Sequence, residues 1–133
     1  MRHVEHPIMF EETDPMLARV RRIALGFPAA LEKISHGRPT FYTRRVFCHY
    51  GASQHPADEW IAHDRAIVIR MDPEDEPALR QDPRFWVPAY LGPYGWLGLD
   101  LDERTDWDEV GELIDASYRV TATRTLVREL DRR

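Results

Sequence analysis

The sequence predicts an α+β domain in which an antiparallel sheet carries helices mainly on one face. Three observations support this class: amphipathic helical segments lie near both ends of the chain, short β-rich runs separate them, and turn residues divide those runs. The chain has 133 residues, 43% hydrophobic and 31% charged, which is an ordinary composition for one globular core. We therefore expect a single domain over residues 1–133, with a frayed N-terminus at residues 1–13.

The first element is an amphipathic helix. Asp14 is a suitable N-cap, Pro15 is tolerated in a first helical turn, and apolar residues then recur at helical spacing. Gly26 and Pro28 end the pattern. The arginines of this segment lie on or beside its polar side, which predicts a helix with an apolar inner stripe and a basic outer surface.

A β-hairpin is predicted after an irregular segment at residues 28–39. The runs Thr40–Thr43 and Val46–Tyr50 are rich in aromatic and β-branched residues, and Arg44 and Arg45 lie between them. Because this turn contains no glycine, we expect a longer or bulged connection instead of a tight two-residue turn.

Turn residues divide the next part of the chain into short elements. In order, we expect an exposed loop over Gly51–Asp64, a strand within Arg65–Met71, a short helix from Asp72 through Gln81, and strands at Arg84–Val87 and Tyr94–Leu101. In the last strand leucines alternate with other residues, so one side is expected to face the core.

A long helix is predicted near the C-terminus. Thr105 and Asp108 have the spacing of a capping box, and inward-facing residues recur from Trp107 to Thr121. The β-branched step at residues 121–123 is expected to break this helix before a final turn or two.

Charge is distributed unevenly along the chain. The formal net charge is −5, but residues 1–50 and 116–133 are each net positive, and residues 51–115 are strongly negative. Of the 18 basic side chains only Lys33 is a lysine. Arginine has a planar donor fork that suits phosphate and carboxylate, so a basic face is possible although the whole chain is acidic.

The single cysteine and the histidines argue against several kinds of site. Cys48 alone forms no intrachain disulfide and no multi-thiolate metal site, and it suits a reducing compartment. The six histidines, including His3 and His6, lack a recognised ligand spacing, so we expect no metal and no cofactor. There is no secretory leader and no membrane-spanning run, which predicts a cytoplasmic protein.

One short segment concentrates reactive residue types. Glu32 and His36 would share a face if residues 31–36 formed a helical turn, and Ser35 would lie nearby. This arrangement suits general acid–base chemistry. The alternative, which we favour, is that His36 closes a turn while Gly37 supplies a backbone angle that other residues disfavour.

A second segment concentrates aromatic residues. The rings of residues 85–96 could stack on bases or on a flat ligand, but Trp86 and Trp96 are expected to be mostly structural. Phosphate-loop, dinucleotide-binding and serine-hydrolase motifs are absent from the sequence. No catalytic motif is legible, which favours a protein that is not an enzyme.

The string FPAALEKISHGRPTFYTRRVF, which starts at Phe27, resembles the opening signature of the MmcQ/YjbR family. Later pieces agree in order, including DPRF from Asp82 and GPYGWLGL from Gly92. The resemblance implies an α+β fold with an antiparallel sheet. It also implies the usual description of this family, which is a DNA-binding protein with a wing-like surface. It supplies no catalytic role for the signature positions, which are Pro28, Glu32, His36, Gly37, Pro39, Phe41, Gly95 and Trp96.

These observations favour weak, salt-sensitive binding of DNA or another nucleic acid through an arginine surface. The candidate phosphate contacts are Arg19, Arg22, Arg38, Arg44, Arg45, Arg124 and Arg128. One alternative is a small-molecule-binding protein or enzyme whose pocket lies around Glu32, Ser35, His36 and Trp96. The other is a protein-interaction module or homodimer that uses exposed aromatic side chains.

Overall fold

A computed structural model describes residues 7–133 and confirms the α+β class. The helices are α1 (Pro15–Ala24), α2 (Glu76–Arg80), α3 (Trp107–Thr121) and α4 (Arg124–Asp131). The strands are β1 (Leu31–Ser35), β2 (Arg38–Tyr42), β3 (Val46–Gln54), β4 (Ile61–Arg70), β5 (Phe85–Trp86) and β6 (Trp96–Asp100). His3 and His6 of the predicted frayed terminus lie outside the described residues.

All six strands form one antiparallel sheet in the order β1-β2-β3-β4-β6-β5. The first four strands follow the chain as successive hairpins, so neighbours in sequence are neighbours in space. Strand β5 pairs with β6 at one edge, and β1 forms the other edge.

The helices cover one face of this sheet, as predicted. Leu17 and Val20 of α1 and Ile114 of α3 are fully buried against Ile67 and Ile69 of β4 in one apolar cluster. Partly buried side chains of α2 and α4, Leu79, Leu126 and Leu130, pack against the same cluster. The opposite face carries a smaller cluster of Ala66, Val68, Trp86 and Trp96.

The predicted cap of α1 is confirmed, but α3 begins differently from the prediction. The Asp14 carboxylate accepts a hydrogen bond from the Met16 amide at 2.9 Å. At α3 the N-cap is Asp106, which accepts from the amides of Asp108 and Glu109, whereas Thr105 accepts from the Asp102 amide. Thr105 lies one residue before the N-cap, and its hydroxyl closes the preceding turn instead of capping the helix.

The predicted break after α3 is confirmed. Helix α3 ends at Thr121, Ala122 is extended, and the Thr123 hydroxyl caps α4 by accepting a hydrogen bond from the Leu126 amide. The two helices are therefore joined at a sharp corner.

The segment predicted to be irregular contains β1 and the start of β2. Residues 31–36 form no helical turn, because Leu31–Ser35 pairs with β2 and a two-residue turn follows it. His36 and Gly37 have φ values of 52° and 81°, the left-handed pair that a tight type I′ hairpin turn requires. His36 and Gly37 therefore form this turn, and Gly37 supplies a backbone angle that other residues disfavour.

The predicted loop over Gly51–Asp64 is largely a hairpin. Strand β3 continues to Gln54 and β4 begins at Ile61, so only the tip between them is irregular. The prediction was wrong because these strand ends extend past the helix-covered core, where side chains need not alternate between apolar and polar.

The bulged β2–β3 connection is confirmed. Tyr42 pairs with Val46 and Phe41 pairs with Cys48, so the register shifts and Phe47 is the additional residue. Three residues, 43–45, form the turn, and the Thr43 amide donates to the Arg45 carbonyl at 3.1 Å.

The described part of the N-terminal segment lies against the domain. The Met9 amide donates to the Gly37 carbonyl at 2.9 Å, and Phe10 packs on the helix-side cluster. Within residues 7–133, no helix is both long enough and apolar enough to cross a membrane.

Candidate nucleic-acid interface

The β2–β3 turn presents two arginines to solvent. Arg44 and Arg45 are both exposed, while Phe47, just after them, is fully buried. The Phe47 ring meets the Tyr118 ring edge-on at a centroid distance of 5.2 Å. The turn therefore displays its charged side chains from a base that is fixed in the core.

Helix α4 presents two more arginines. Arg124 and Arg128 are one helical turn apart, so they share a side of the helix, and both are exposed. Leu126 and Leu130 occupy the inner side and pack against the core. This division orients the arginines towards solvent.

These two elements meet, although they are far apart in the sequence. Arg44 and Arg45 line an open depression of about 440 Å³ together with residues 120–123, the corner between α3 and α4. The next residue, Arg124, starts α4. We call the β2–β3 turn and the adjoining helix α4, which carry Arg44, Arg45, Arg124 and Arg128, the basic corner.

The arginines of the basic corner differ in their ion pairing from six other arginines of the protein. Within residues 7–133, none of the four forms an ion pair, whereas Arg21, Arg38, Arg65, Arg80, Arg84 and Arg119 all do. Hydrogen bonds from Arg119 to Asp115 and Asp131 raise the pKa of that guanidinium. Within the described residues the four arginines of the basic corner therefore carry charge that no ion pair offsets, and Arg19 and Arg22 of the predicted set share this property elsewhere on the surface.

Arg38 is in a different position from the one predicted. Its side chain is only 7% exposed, and its guanidinium lies 3.1 Å from the Asp64 carboxylate on β4. Gly51 of the intervening strand permits this path, since a Cβ there would lie 2.5 Å from Arg38 Nη1. Arg38 is therefore a buried structural cation and is not available to phosphate.

The two predicted arginines of α1 lie outside the basic corner. The Arg19 guanidinium stacks on the Trp107 ring, 4.2 Å from its centre. Trp107 is the first residue of α3, so Arg19 lies at the end of that helix opposite the basic corner. Arg22 is exposed near the end of α1, where the Gly26 carbonyl accepts a hydrogen bond from Arg133. The predicted set of seven thus divides among several places.

The alternative pocket is not assembled. Glu32 lies on the helix side of β1, where Arg21 of α1 donates to both of its carboxylate oxygens at 2.7 and 2.8 Å. Trp96 belongs to the cluster on the opposite face, and His36 is exposed at the β1–β2 turn. The alternative in which Glu32 and His36 share a helical face is wrong, because β1 is a strand that ends at Ser35: four extended residues at about 3.3 Å each place His36 about 13 Å further along the chain.

Two neighbouring groups of β3, one on each face of the sheet, are held in uncharged forms. His49 is packed edge-on against Trp96 at a centroid distance of 5.0 Å. Burial, reinforced by the charges of His36 and Lys33, lowers the pKa of His49 to about 4. Burial raises the pKa of the Cys48 thiol to about 12, which keeps it protonated at neutral pH.

The large aromatic residues of the second cluster are structural, as expected. Trp86 and Trp96 are each 8% exposed. The His63 ring stacks on Trp86 at 3.8 Å, and a hydrogen bond of 2.7 Å joins His63 Nδ1 to Asp100. Among residues 7–133, no three His, Cys, Asp or Glu side chains are grouped so that they could hold a metal ion.

Comparison with known proteins defines the family. The family model described as YjbR matches residues 25–120, which is most of the chain. The chain belongs to the YjbR family. The matched region starts near the end of α1 and includes every strand and nearly all of α3, so the YjbR domain provides the sheet and the β2–β3 turn.

A solved structure supports the same fold. The crystal structure of the Deinococcus radiodurans protein DR2400, which carries the family-model domain DUF419, has a TM-score of 0.58 to this chain at 22% sequence identity. The similarity covers 86% of this chain and 87% of that chain. At this identity the likeness concerns the fold alone. No curated protein matches the sequence significantly.

Proposed function

We propose that this YjbR-family protein binds nucleic acid weakly, through phosphate contacts made by the basic corner. The observation that carries the proposal is that Arg44 and Arg45 share a depression with the corner between α3 and α4, and that no carboxylate of residues 7–133 is paired with either arginine. Arginine donates two parallel hydrogen bonds to phosphate, which makes such a cluster suited to a nucleic-acid backbone.

The overall negative charge does not oppose this contact at short range. Helix α3 has 15 residues and is therefore about 22 Å long. Its unpaired acids are at its N-cap and in its first half, at Asp106, Asp108 and Glu112, while Asp115, nearer the corner, is paired with Arg119. The screening length at physiological salt is about 8 Å, so acids at the far end have little effect at the corner.

The basic corner supports binding without sequence preference. Contacts from arginine to phosphate fix the position of a protein on nucleic acid but do not read the bases. We therefore expect single-stranded and duplex probes of different sequence to bind similarly, with an affinity that decreases steeply as salt increases.

The test compares two double variants that remove the same charge from different places. Arg44→Gln/Arg45→Gln removes two cations of the corner, and Arg19→Gln/Arg104→Gln removes two from the opposite end of α3, where Arg104 is exposed in the preceding turn. Fluorescence anisotropy with a labelled duplex at low salt should show at least about tenfold weaker binding for the first variant. The second should stay within about twofold of the unaltered protein.

Equal losses in the two variants would contradict the proposal, because they would show a response to net charge alone. Thermal unfolding of both variants checks that the fold is intact. A third variant, Arg124→Gln/Arg128→Gln, tests whether α4 belongs to the same surface, and its affinity should decrease like that of the turn variant.

A further inference from the structure

The tip of the β3–β4 hairpin displays an aromatic group that the basic corner does not involve. Trp60 is 56% exposed, and the His55 ring stacks on it with a centroid distance of 3.9 Å and an interplanar angle of 8°. Tyr90, from the loop between β5 and β6, lies 6.1 Å from Trp60 and is 80% exposed. We call these three side chains the aromatic tip.

The backbone holds Tyr90 in an unfavourable conformation at this place. Its φ is 67°, a left-handed value that is uncommon for a bulky side chain. The Leu91 amide donates to the Ala89 carbonyl at 2.8 Å, which closes a three-residue γ-turn with Tyr90 at its centre. γ-Turns with a positive central φ are rare and strained, and such strain is concentrated at functional sites.

The aromatic tip is attached to the sheet instead of being an isolated loop. The Ala89 amide donates to the Ser53 carbonyl of β3 at 2.9 Å, which brings the β5–β6 loop beside the hairpin. His55 also bonds the Glu59 carbonyl through its Nδ1 atom, within the hairpin tip. These contacts fix the backbone that carries the rings, which lowers the entropic cost of binding.

The charge around the aromatic tip is negative. Asp58 and Glu59 are exposed next to Trp60, and neither forms an ion pair within the described residues. Residues 51–64 contain no lysine or arginine, and residues 85–99 contain no charged side chain. Arg80 reaches this loop, but it is bound to Glu76 and to the Gly92 carbonyl.

We infer that the aromatic tip binds an arginine-bearing segment of a partner polypeptide. A planar guanidinium can stack on the exposed faces of Trp60 and Tyr90 while it donates hydrogen bonds to Asp58 or Glu59. A nucleic acid fits less well, because bases stacked on the same rings would bring phosphates towards those carboxylates. The proposal is independent of the basic corner, which has the opposite charge.

The test uses a fluorescein-labelled synthetic peptide in which arginine alternates with glycine, and a matched peptide with citrulline in place of arginine. Citrulline keeps the shape of the side chain and removes its charge. Fluorescence anisotropy with the full chain should show binding of the arginine peptide and at least about tenfold weaker binding of the citrulline peptide.

Three variants locate the site. Trp60→Ala and Tyr90→Gly should each weaken binding of the arginine peptide by about three- to fivefold, and the double variant by about tenfold or more. Tyr94→Ala is the matched control, because Tyr94 is 67% exposed but is not part of the ring group. Arg44→Gln/Arg45→Gln should also leave peptide binding unchanged, which separates this proposal from the proposed function.

Several outcomes would overturn the inference. These are no binding of the arginine peptide at low salt, equal binding of the citrulline peptide, or equal losses in Trp60→Ala and Tyr94→Ala. Binding of a single-stranded oligonucleotide that is lost in Trp60→Ala would also overturn it, since the tip would then be a base-stacking site. Tyr90→Gly keeps the test interpretable, because glycine adopts the required φ without strain and the fold should be retained.

Discussion

The two ends of strand β3 carry opposite surfaces. Before its first residue, Val46, the turn presents Arg44 and Arg45 beside α4, and after its last residue, Gln54, the chain presents Trp60 with exposed acids. Nine residues in an extended conformation separate these ends by about 30 Å. The first end rests on the aromatic core, whereas the second extends beyond the helices.

This difference shows that net charge is a poor guide to what this surface can bind. The formal net charge is −5, yet one end of β3 presents unpaired cations and the other presents unpaired carboxylates. The separation is several times the screening length at physiological salt, so each end presents its own field to a ligand. One sheet can therefore offer two binding surfaces of opposite preference.

The largest difference between the ends should be in their contribution to stability. Phe47→Ala removes a fully buried ring that contacts Tyr118 edge-on, and we expect it to decrease the free energy of unfolding by about 3–5 kcal/mol. Trp60→Ala removes an exposed ring and should cost less than about 1 kcal/mol. Urea unfolding measures both, and similar costs would mean that the hairpin tip is also part of the cooperative core.

The middle of β3 should give the protein an acid-sensitive stability. His49 has a folded-state pKa of about 4, mainly because it is buried, whereas in the unfolded chain the value is near 6.5. As pH decreases from 6.5 to 4 the unfolded state gains a proton that the folded state does not, so stability is complete above this window and decreases within it. The loss should be about 2–3 kcal/mol.

Urea unfolding at pH 7, 5 and 4 measures this loss, and His49→Gln is the matching variant. Because glutamine does not titrate, the variant should lose less stability over the same window, and the difference between the two curves reports His49 alone. Parallel curves would show that the buried imidazole is not the group responsible.

A smaller effect is expected at Gly51, where β3 bends between its two ends. Its φ is 83°, and a Cβ there would lie 2.5 Å from Arg38 Nη1 and 3.0 Å from the His63 carbonyl. Gly51→Ala should therefore cost about 1–2 kcal/mol. Gly111→Ala is the control, because the α3 site has no atom within 4 Å and helical alanine is favoured by about 1 kcal/mol. Thermal unfolding should move the two midpoints in opposite directions.

The parts of the fold that could be predicted from the sequence are those with local signals. Helix α1 has both a cap and an amphipathic pattern, and the break after α3 follows from β-branched residues. Strand β1 was missed because it is an edge strand in which Leu31 and Ile34 are exposed, so it has no alternating pattern. The turn between β1 and β2 was not predicted to form a hairpin because His36 occupies the position where asparagine is usual.

The site could be predicted only in part, because its assembly depends on contacts between distant segments. The exposure of Arg44 and Arg45 follows from their place in a turn. Their meeting with the start of α4 does not, and neither does the path of Arg38 across Gly51 to Asp64. The aromatic tip had one visible signal, which is a tryptophan, Trp60, among polar and acidic residues in a segment already predicted to be exposed.

The most direct test of the basic corner is the salt dependence of binding to a short DNA duplex. If the four arginines each neutralise one phosphate, the logarithm of the association constant should decrease against the logarithm of salt concentration with a slope of about −3 to −4. Arg44→Gln/Arg45→Gln should reduce the magnitude of that slope by about 2. No measurable affinity at low salt, or a slope unchanged in the variant, would contradict the account.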